Sequence, residues 1–340
     1  MTTEEGITND FNLSGELYNR GSEDAAIKPI SDAANRIRQE ISKLIVGQDD
    51  LLTQLITGLF TGGHLLVEGV PGIAKTLSAK MLAQTLRLKY TRIQFTPDLM
   101  PSDVTGTSVF NLKTSEFTFN KGPVFSQIVL IDEINRAPAK TQSALFEVME
   151  EGQVSVDGET YVMDQPFMVL ATQNPIEQEG TYRLPEAQLD RFLFRIRIAY
   201  PDLHEELEIL KRFRDETSAS MAGLVQSVLE GVDVLQLRKL VSGVLIKDEL
   251  LEYIAKVVDQ TRHDADLFLG ASPRASIALM RSAKALAAIR GRSYVVPDDV
   301  KDMAYPVLNH RIQVNPEREM EGLDSNQVIK RILESIEIPR

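Results

Sequence analysis

The sequence predicts an α/β domain built on a buried parallel sheet, followed by a smaller helical domain. Three observations carry that prediction. Five short apolar runs, HLLVEG (64–69), YTRIQF (90–95), QIVLID (127–132), FMVLAT (167–172) and FLFRIRI (192–198), read as strands covered on both faces. Helical stretches separate most of them, as right-handed parallel crossovers require. After Pro201 the strand patterns stop and helical periodicity takes over. A length of 340 residues suits two domains, and 43% hydrophobic with 25% charged residues is a globular balance that excludes disorder throughout.

Taken in order, residues 1–30 are polar and acidic and read as a flexible lead-in. Ser31 is placed to cap a helix in which Ala34, Ile37, Ile41 and Leu44 recur at helical spacing. Beyond Val46-Gly47-Gln48 a second helix is expected over 49–61, closed by Gly62-Gly63. HLLVEG then leads through a Gly/Pro loop into TLSAKMLAQTL, a run of good helix formers. Two segments interrupt the alternation: TSVFNLKTSEFTFNKG (107–122) and QVSVDGETYV (153–162), the second turning on Asp157-Gly158. Both read as β-hairpins inserted into the α/β core. Helices are expected at about 202–214, 233–242, 247–263, 273–291 and 322–336, with polar DETSASMAG (215–223) as a connector. The resulting division is 1–30, an α/β domain over 31–215 and a helical domain over 216–340.

Composition removes several functional classes. The absence of cysteine excludes disulfide scaffolds, thiolate nucleophiles and Cys-ligated zinc. The four histidines, His64, His204, His263 and His310, have no metal-ligand spacing and read as surface or capping residues. No apolar stretch approaches the roughly 18–20 residues of a membrane span, and MTTEEGITND lacks the apolar core of a secretory leader, so a cytoplasmic location is expected. A net charge of 37 − 49 = −12 disfavours binding to nucleic acid by broad phosphate neutralisation.

The sharpest local signal is Gly69-Val70-Pro71-Gly72-Ile73-Ala74-Lys75-Thr76, set between a predicted strand and a predicted helix. A nucleoside triphosphate needs backbone N–H groups that wrap it closely, a helix N-terminus aimed at the anion, a lysine for the β/γ oxygens and a hydroxyl for Mg2+. The usual loop has glycine before the lysine; Ala74 is compatible with a negative φ there. Downstream, the run Ile128-Val129-Leu130-Ile131 ends in Asp132-Glu133. Asp132 is placed to accompany Mg2+ with Thr76, and Glu133 to orient or deprotonate water. Asn174 follows the strand FMVLAT, where its amide either positions that water or merely begins a turn before Pro175. Arg191, before the fifth strand, and Arg274, opening a helix of the second domain, are cations suited to charge on a transferring γ-phosphate; each alone reads better as a surface ion pair.

Together these residues resemble the AAA+ ATPases, and among them the MoxR family, over about residues 30–336. The most specific stretches are EGVPGIAKT (68–76), TPDLMPSDVTG (96–106), LIDEINRAPAKTQSALFEVMEE (130–151) and ATQNPIEQEGTYRLPEAQLDRF (171–192), with SPRA (272–275) and NHRI (309–312) in support. The resemblance implies an AAA+ core with a five-stranded parallel sheet, hairpin inserts and a smaller all-α lid. It implies ATP and Mg2+ as cofactors and Val46-Gly47-Gln48 as the adenine-side segment. Gly69 to Thr76 become the Walker A loop, Asp132 and Glu133 Walker B, Asn174 sensor 1, Arg191 the finger reaching a neighbouring subunit, and Arg274 sensor 2 on the lid. Both hairpins become client-contacting or pore-facing elements. Arg183 stands where the family pattern has proline; a cation there either assists Arg191 or faces solvent, and solvent is the favoured reading. The function implied is chaperone-like remodelling, maturation or activation of a client protein complex, commonly with a von Willebrand factor A domain partner, by a homo-hexamer. A magnesium-chelatase-type motor is the alternative. A nucleic-acid motor is disfavoured by charge, and a non-hydrolysing scaffold by the full set of acidic, amide and arginine groups.

Overall fold

The computed structural model describes residues 13–70, 75–113, 115–175, 180–182, 184–214 and 223–339. Helices α1 (Leu13–Ser42) and α2 (Asp49–Thr61) precede β1 (Leu65–Glu68), and α3 (Lys75–Thr85) crosses to β2 (Tyr90–Gln94). A short α4 (Pro101–Thr105) introduces the hairpin β3 (Gly106–Asn111) and β4 (Glu116–Lys121), ahead of β5 (Ile128–Asp132). Helix α5 (Ala139–Glu151) leads into the second hairpin, β6 (Gln153–Val156) and β7 (Glu159–Val162), and then β8 (Met168–Gln173). The core closes with α6 (Glu186–Leu189), β9 (Phe194–Arg197) and α7 (Leu203–Phe213). The second domain comprises α8 (Gly231–Ser242), α9 (Asp248–His263), β10 (Leu267–Leu269), α10 (Pro273–Ile289), α11 (Pro297–Leu308), β11 (Gln313–Val314), α12 (Pro316–Met320) and α13 (Ser325–Ser335).

The five expected strands form one sheet in the order β2-β5-β8-β1-β9, with every neighbouring pair parallel. Period-2 alternation divides the buried residues into two cores. Leu65, Val67, Leu130, Leu170 and Ile196 face α1, α2, α3 and the helical domain, whereas Leu66, Val129, Ile131 and Val169 face α5 and the hairpins. Because all strands run the same way, their C-terminal ends share one edge: Glu68 is level with Gln173 and Arg197, and Gln94 with Asp132. That edge is where ligands bind in open parallel sheets.

Both inserts are antiparallel hairpins, as expected. They pack on each other through Phe119 and Tyr161, whose rings lie 4.4 Å apart, while Phe110, Leu112 and Phe117 remain exposed.

The structure corrects four local expectations. Ser31 is not an N-cap: α1 continues through it and through Pro29, and Ser31 Oγ donates to Lys28 O at 3.0 Å. The reason is burial of Ile27 and Ile30, which carries the apolar stripe back from Ala34 and shortens the expected lead-in. Helix α11 was not anticipated, because Pro297 and Pro306 obscured it; Val300, Met303, Ala304, Val307 and Leu308 nonetheless supply a buried face at helical spacing. The lid is not wholly helical, since β10 and β11 pair across it. Finally, two histidines are structural bridges. His64 Nε2 donates to Met149 O at 3.0 Å and its Nδ1 accepts from the Val169 N–H at 2.9 Å, while His310 is buried. Most of the 215–223 connector lies outside the described residues.

A candidate nucleotide site and a separate arginine pair

Gly69 is buried directly after β1, and Lys75 opens α3. Pro71, Gly72, Ile73 and Ala74 lie outside the described residues, as does Arg183. Lys75 Nζ donates to Gly69 O at 2.5 Å, so the ammonium folds back over the loop's first carbonyl. Half-buried Val70 packs against the core. Across β8, at the end of β5, Asp132 Oδ2 lies 3.4 Å from Thr76 Oγ1. Asp132 also accepts from Thr172 Oγ1 at 2.8 Å and from Arg92 Nε at 2.6 Å. Glu133 has a left-handed backbone, φ 56°, a conformation that costs a non-glycine residue about 1–2 kcal/mol. Its N–H is held by Thr172 Oγ1 at 3.1 Å, so one hydroxyl bridges the two consecutive acidic residues. The Glu133 carboxylate accepts from Gln94 Nε2 at 3.0 Å and pairs with Arg136 Nε at 2.9 Å. Asn174 is buried one residue past β8, at the same edge.

These groups fit a magnesium nucleotide. The Thr76 hydroxyl and Asp132 carboxylate are hard oxygen donors, the kind Mg2+ takes, and they face each other at 3.4 Å. Val46 is half-buried, and Gly47 has φ +68°. A Cβ on Gly47 would stand 2.1 Å from the Glu205 carboxyl carbon at the start of α7, so the left-handed backbone favours glycine and any larger residue must displace that side chain.

The two arginines lie elsewhere. Arg191 and Arg274 both pair with Glu150, Arg191 through Oε2 and Arg274 through Oε1 at 3.4 Å. Arg191 Nη1 also donates to Phe146 O at 2.9 Å. They line a cleft of about 310 Å3 with Gly62, Gly63 and His64, the residues that lead into β1. This is the N-terminal edge of the sheet. The four residues of β1 alone put about 13 Å between it and the Lys75 edge. Arg274, expected to sense phosphate from the lid, therefore stands with Arg191 and away from Lys75 in its own chain.

The family model described as "ATPase family associated with various cellular activities (AAA)" matches residues 64–194, and an AAA lid domain model matches 259–332. A solved structure of a candidate ATPase from Cytophaga hutchinsonii is 45% identical, with a TM-score of 0.85 over 96% of this chain and 99% of that one. Uncharacterized protein YeaC of Bacillus subtilis is 46% identical over 88% of this chain and 93% of its own length. Chaperone MoxR1 of Mycobacterium tuberculosis is 43% identical over 88% of this chain and 81% of its own. The chain belongs to the MoxR family of AAA+ ATPases.

Against the MoxR resemblance, sequence reasoning named Lys75, Asp132, Glu133 and both arginines but missed their supports: Thr172, Arg92, Gln94, Glu150 and Asp190. Three left a signal. Thr172 is a polar interruption of the buried strand β8, which calls for a purpose, and Arg92 and Gln94 are polar positions on the sheet-edge strand β2. Glu150 and Asp190, acids at the end of a helix and in a turn, carry no comparable signal.

Proposed function

We propose that this chain hydrolyses ATP with Mg2+ at the junction between copies in a ring, probing and remodelling a client protein complex in the cytoplasm. The observation that carries the reading is the separation of Lys75, Asp132 and Glu133 at one sheet edge from Arg191 and Arg274 at the other. An arginine pair that cannot reach its own phosphates is available to a neighbour's, and head-to-tail contacts of that kind close into rings, here a homo-hexamer.

In this reading Lys75 moves its ammonium from Gly69 O to the β/γ oxygens, and Thr76 with Asp132 holds the metal. Bound Mg2+ supplies charge neutralisation at the phosphates. Glu133 leaves Gln94 and accepts the proton of the attacking water at its carboxylate, while Asn174 orients that water. Arg191 and Arg274 of the adjacent copy stabilise charge on the transferring group. The exposed Phe110, Leu112 and Phe117 offer an apolar face to a client. The name of the mycobacterial relative supports a chaperone role. Client activation with a von Willebrand factor A domain partner belongs to the same reading. The −12 charge supports a protein client over nucleic acid.

Lys75→Ala should abolish nucleotide binding, and Glu133→Gln should bind ATP yet turn over very slowly. Arg191→Ala should bind normally and turn over poorly alone. Mixed with Glu133→Gln, it should recover activity; no recovery refutes sharing of the site between copies.

A further inference from the structure

The segment Asn309-His310-Arg311, which joins α11 to β11, has no part in phosphate chemistry, yet it grips the stretch that carries Arg191. The Arg311 side chain is only 4% exposed. Each of its five N–H donors has an acceptor. Nε donates to Asp190 Oδ1 at 2.7 Å, Nη1 to Leu193 O at 3.1 Å and Val307 O at 2.5 Å, and Nη2 to Asp190 O at 3.2 Å and Phe192 O at 2.6 Å. His310 Nε2 donates to the same Phe192 carbonyl at 3.0 Å. Four of Arg311's five acceptors thus flank Arg191 in the core.

Asp190 extends the connection to the second arginine. Its Oδ2 accepts from Ser272 Oγ at 3.2 Å, and Ser272 is the N-cap residue of α10, two positions before Arg274. One carboxylate therefore joins the residue before Arg191 to the helix start that carries Arg274. A buried Arg–Asp pair is a poor way to gain stability, because desolvation offsets its attraction and an apolar plug serves as well. A five-donor clamp does fix orientation, and fixed donors stabilise transition-state charge without reorganising.

We propose that Asp190, held between Arg311 and Ser272, is a positioning residue. It sets Arg191 and Arg274 as one preorganised guanidinium pair for the triphosphate of an adjacent copy, so that lid and finger move together. Glu150, bound to both guanidiniums, holds them side by side until phosphate oxygens take its place. The inference rests on the shared-site reading of Arg191.

The test uses the full chain with Asp190→Asn, Arg311→Lys, Ser272→Ala and Arg191→Ala, each alone and mixed with Glu133→Gln. Asp190→Asn and Arg311→Lys should lower kcat about tenfold or more, with nucleotide Kd and KM within about twofold, because each chain's own phosphate edge is intact. Mixing should restore turnover, since Glu133→Gln subunits bring intact arginines to undamaged sites. Ser272→Ala removes one hydroxyl and serves if a buried variant does not fold; its kcat should fall about two- to fivefold and recover on mixing. Normal kcat in the variants overturns the proposal. So does a loss that mixing leaves uncorrected while Arg191→Ala is rescued, since that is the behaviour of a general folding defect. If Arg191→Ala itself is not rescued, the shared-site reading fails and takes this inference with it.

Discussion

Replacing Thr172 with valine exchanges one hydroxyl for a methyl of similar size and removes two contacts at once. The Asp132 carboxylate loses its 2.8 Å donor and the Glu133 N–H loses its 3.1 Å acceptor, both at a buried position. A hydrogen bond to a charged group contributes about 1.5–3 kcal/mol and a neutral one about 0.5–1.5 kcal/mol, so roughly 2–4 kcal/mol of local order is at stake. The left-handed Glu133 backbone, itself about 1–2 kcal/mol uphill, is what that order holds in place. If half of it bears on the transition state, kcat falls about 5- to 30-fold at 1.4 kcal/mol per decade. Steady-state ATP turnover, with nucleotide Kd measured separately by fluorescence, reads the effect. Kd should change by less than about threefold, because Lys75 and the loop are untouched. A kcat within about twofold of the parent would refute the bridging role; a large rise in Kd with unchanged kcat would assign Thr172 to binding instead.

Arg92→Gln removes the cation paired with Asp132, which on the proposed reading competes with Mg2+ for that carboxylate. Because Arg92 is half exposed, the ion pair is worth about 0–1 kcal/mol, so half-saturating Mg2+ for nucleotide binding should fall up to about fivefold; a higher requirement contradicts the competition. Gly47→Ala should cost about 1–2 kcal/mol in denaturant unfolding and weaken nucleotide affinity, since it strains φ +68° and dislodges Glu205 from its capping contact with the Asp202 N–H; unaltered stability rules out the steric account. Burial lowers His64 to about 4 and holds His310 well below its usual value, so the native state keeps both neutral while the unfolded chain protonates near 6.5. Their stabilisation is complete above about pH 6.5 and is lost as pH falls toward 4, up to about 3 kcal/mol from His64. Denaturation curves of His64→Gln should show a shallower decline across that window, and an identical slope excludes His64 as the source.

Local chemistry made much of this protein legible before any coordinates. Strands buried on both faces must be continuously apolar, so the three central strands β1, β5 and β8 stand out as short runs, and the edge strands β2 and β9 as runs mixed with polar residues, all within about two residues at their ends. The turn at Asp157-Gly158, φ 52° and 81°, follows from which residues tolerate left-handed backbone. Lys75, Thr76, Asp132 and Glu133 were readable because phosphate and Mg2+ demand those groups at the ends of strands and the start of a helix. Helix α11 was hidden by its prolines, and the start of α1 by an apolar stripe whose partner lies in the lid.

What chain-local patterns cannot carry is the meeting of residues far apart in sequence. Thr172 and Asp132 are 40 positions apart, and Arg311 and Asp190 are 121. Parallel strand order set the first meeting, and docking of the lid set the second. The side on which Arg191 and Arg274 stand is decided in the same way. Both belong to motifs that name a phosphate partner, but only the direction of the strands puts them at the edge opposite Lys75. A motif specifies the chemistry of a group through its type and local backbone, whereas distance between groups is a property of packing, which no single segment contains.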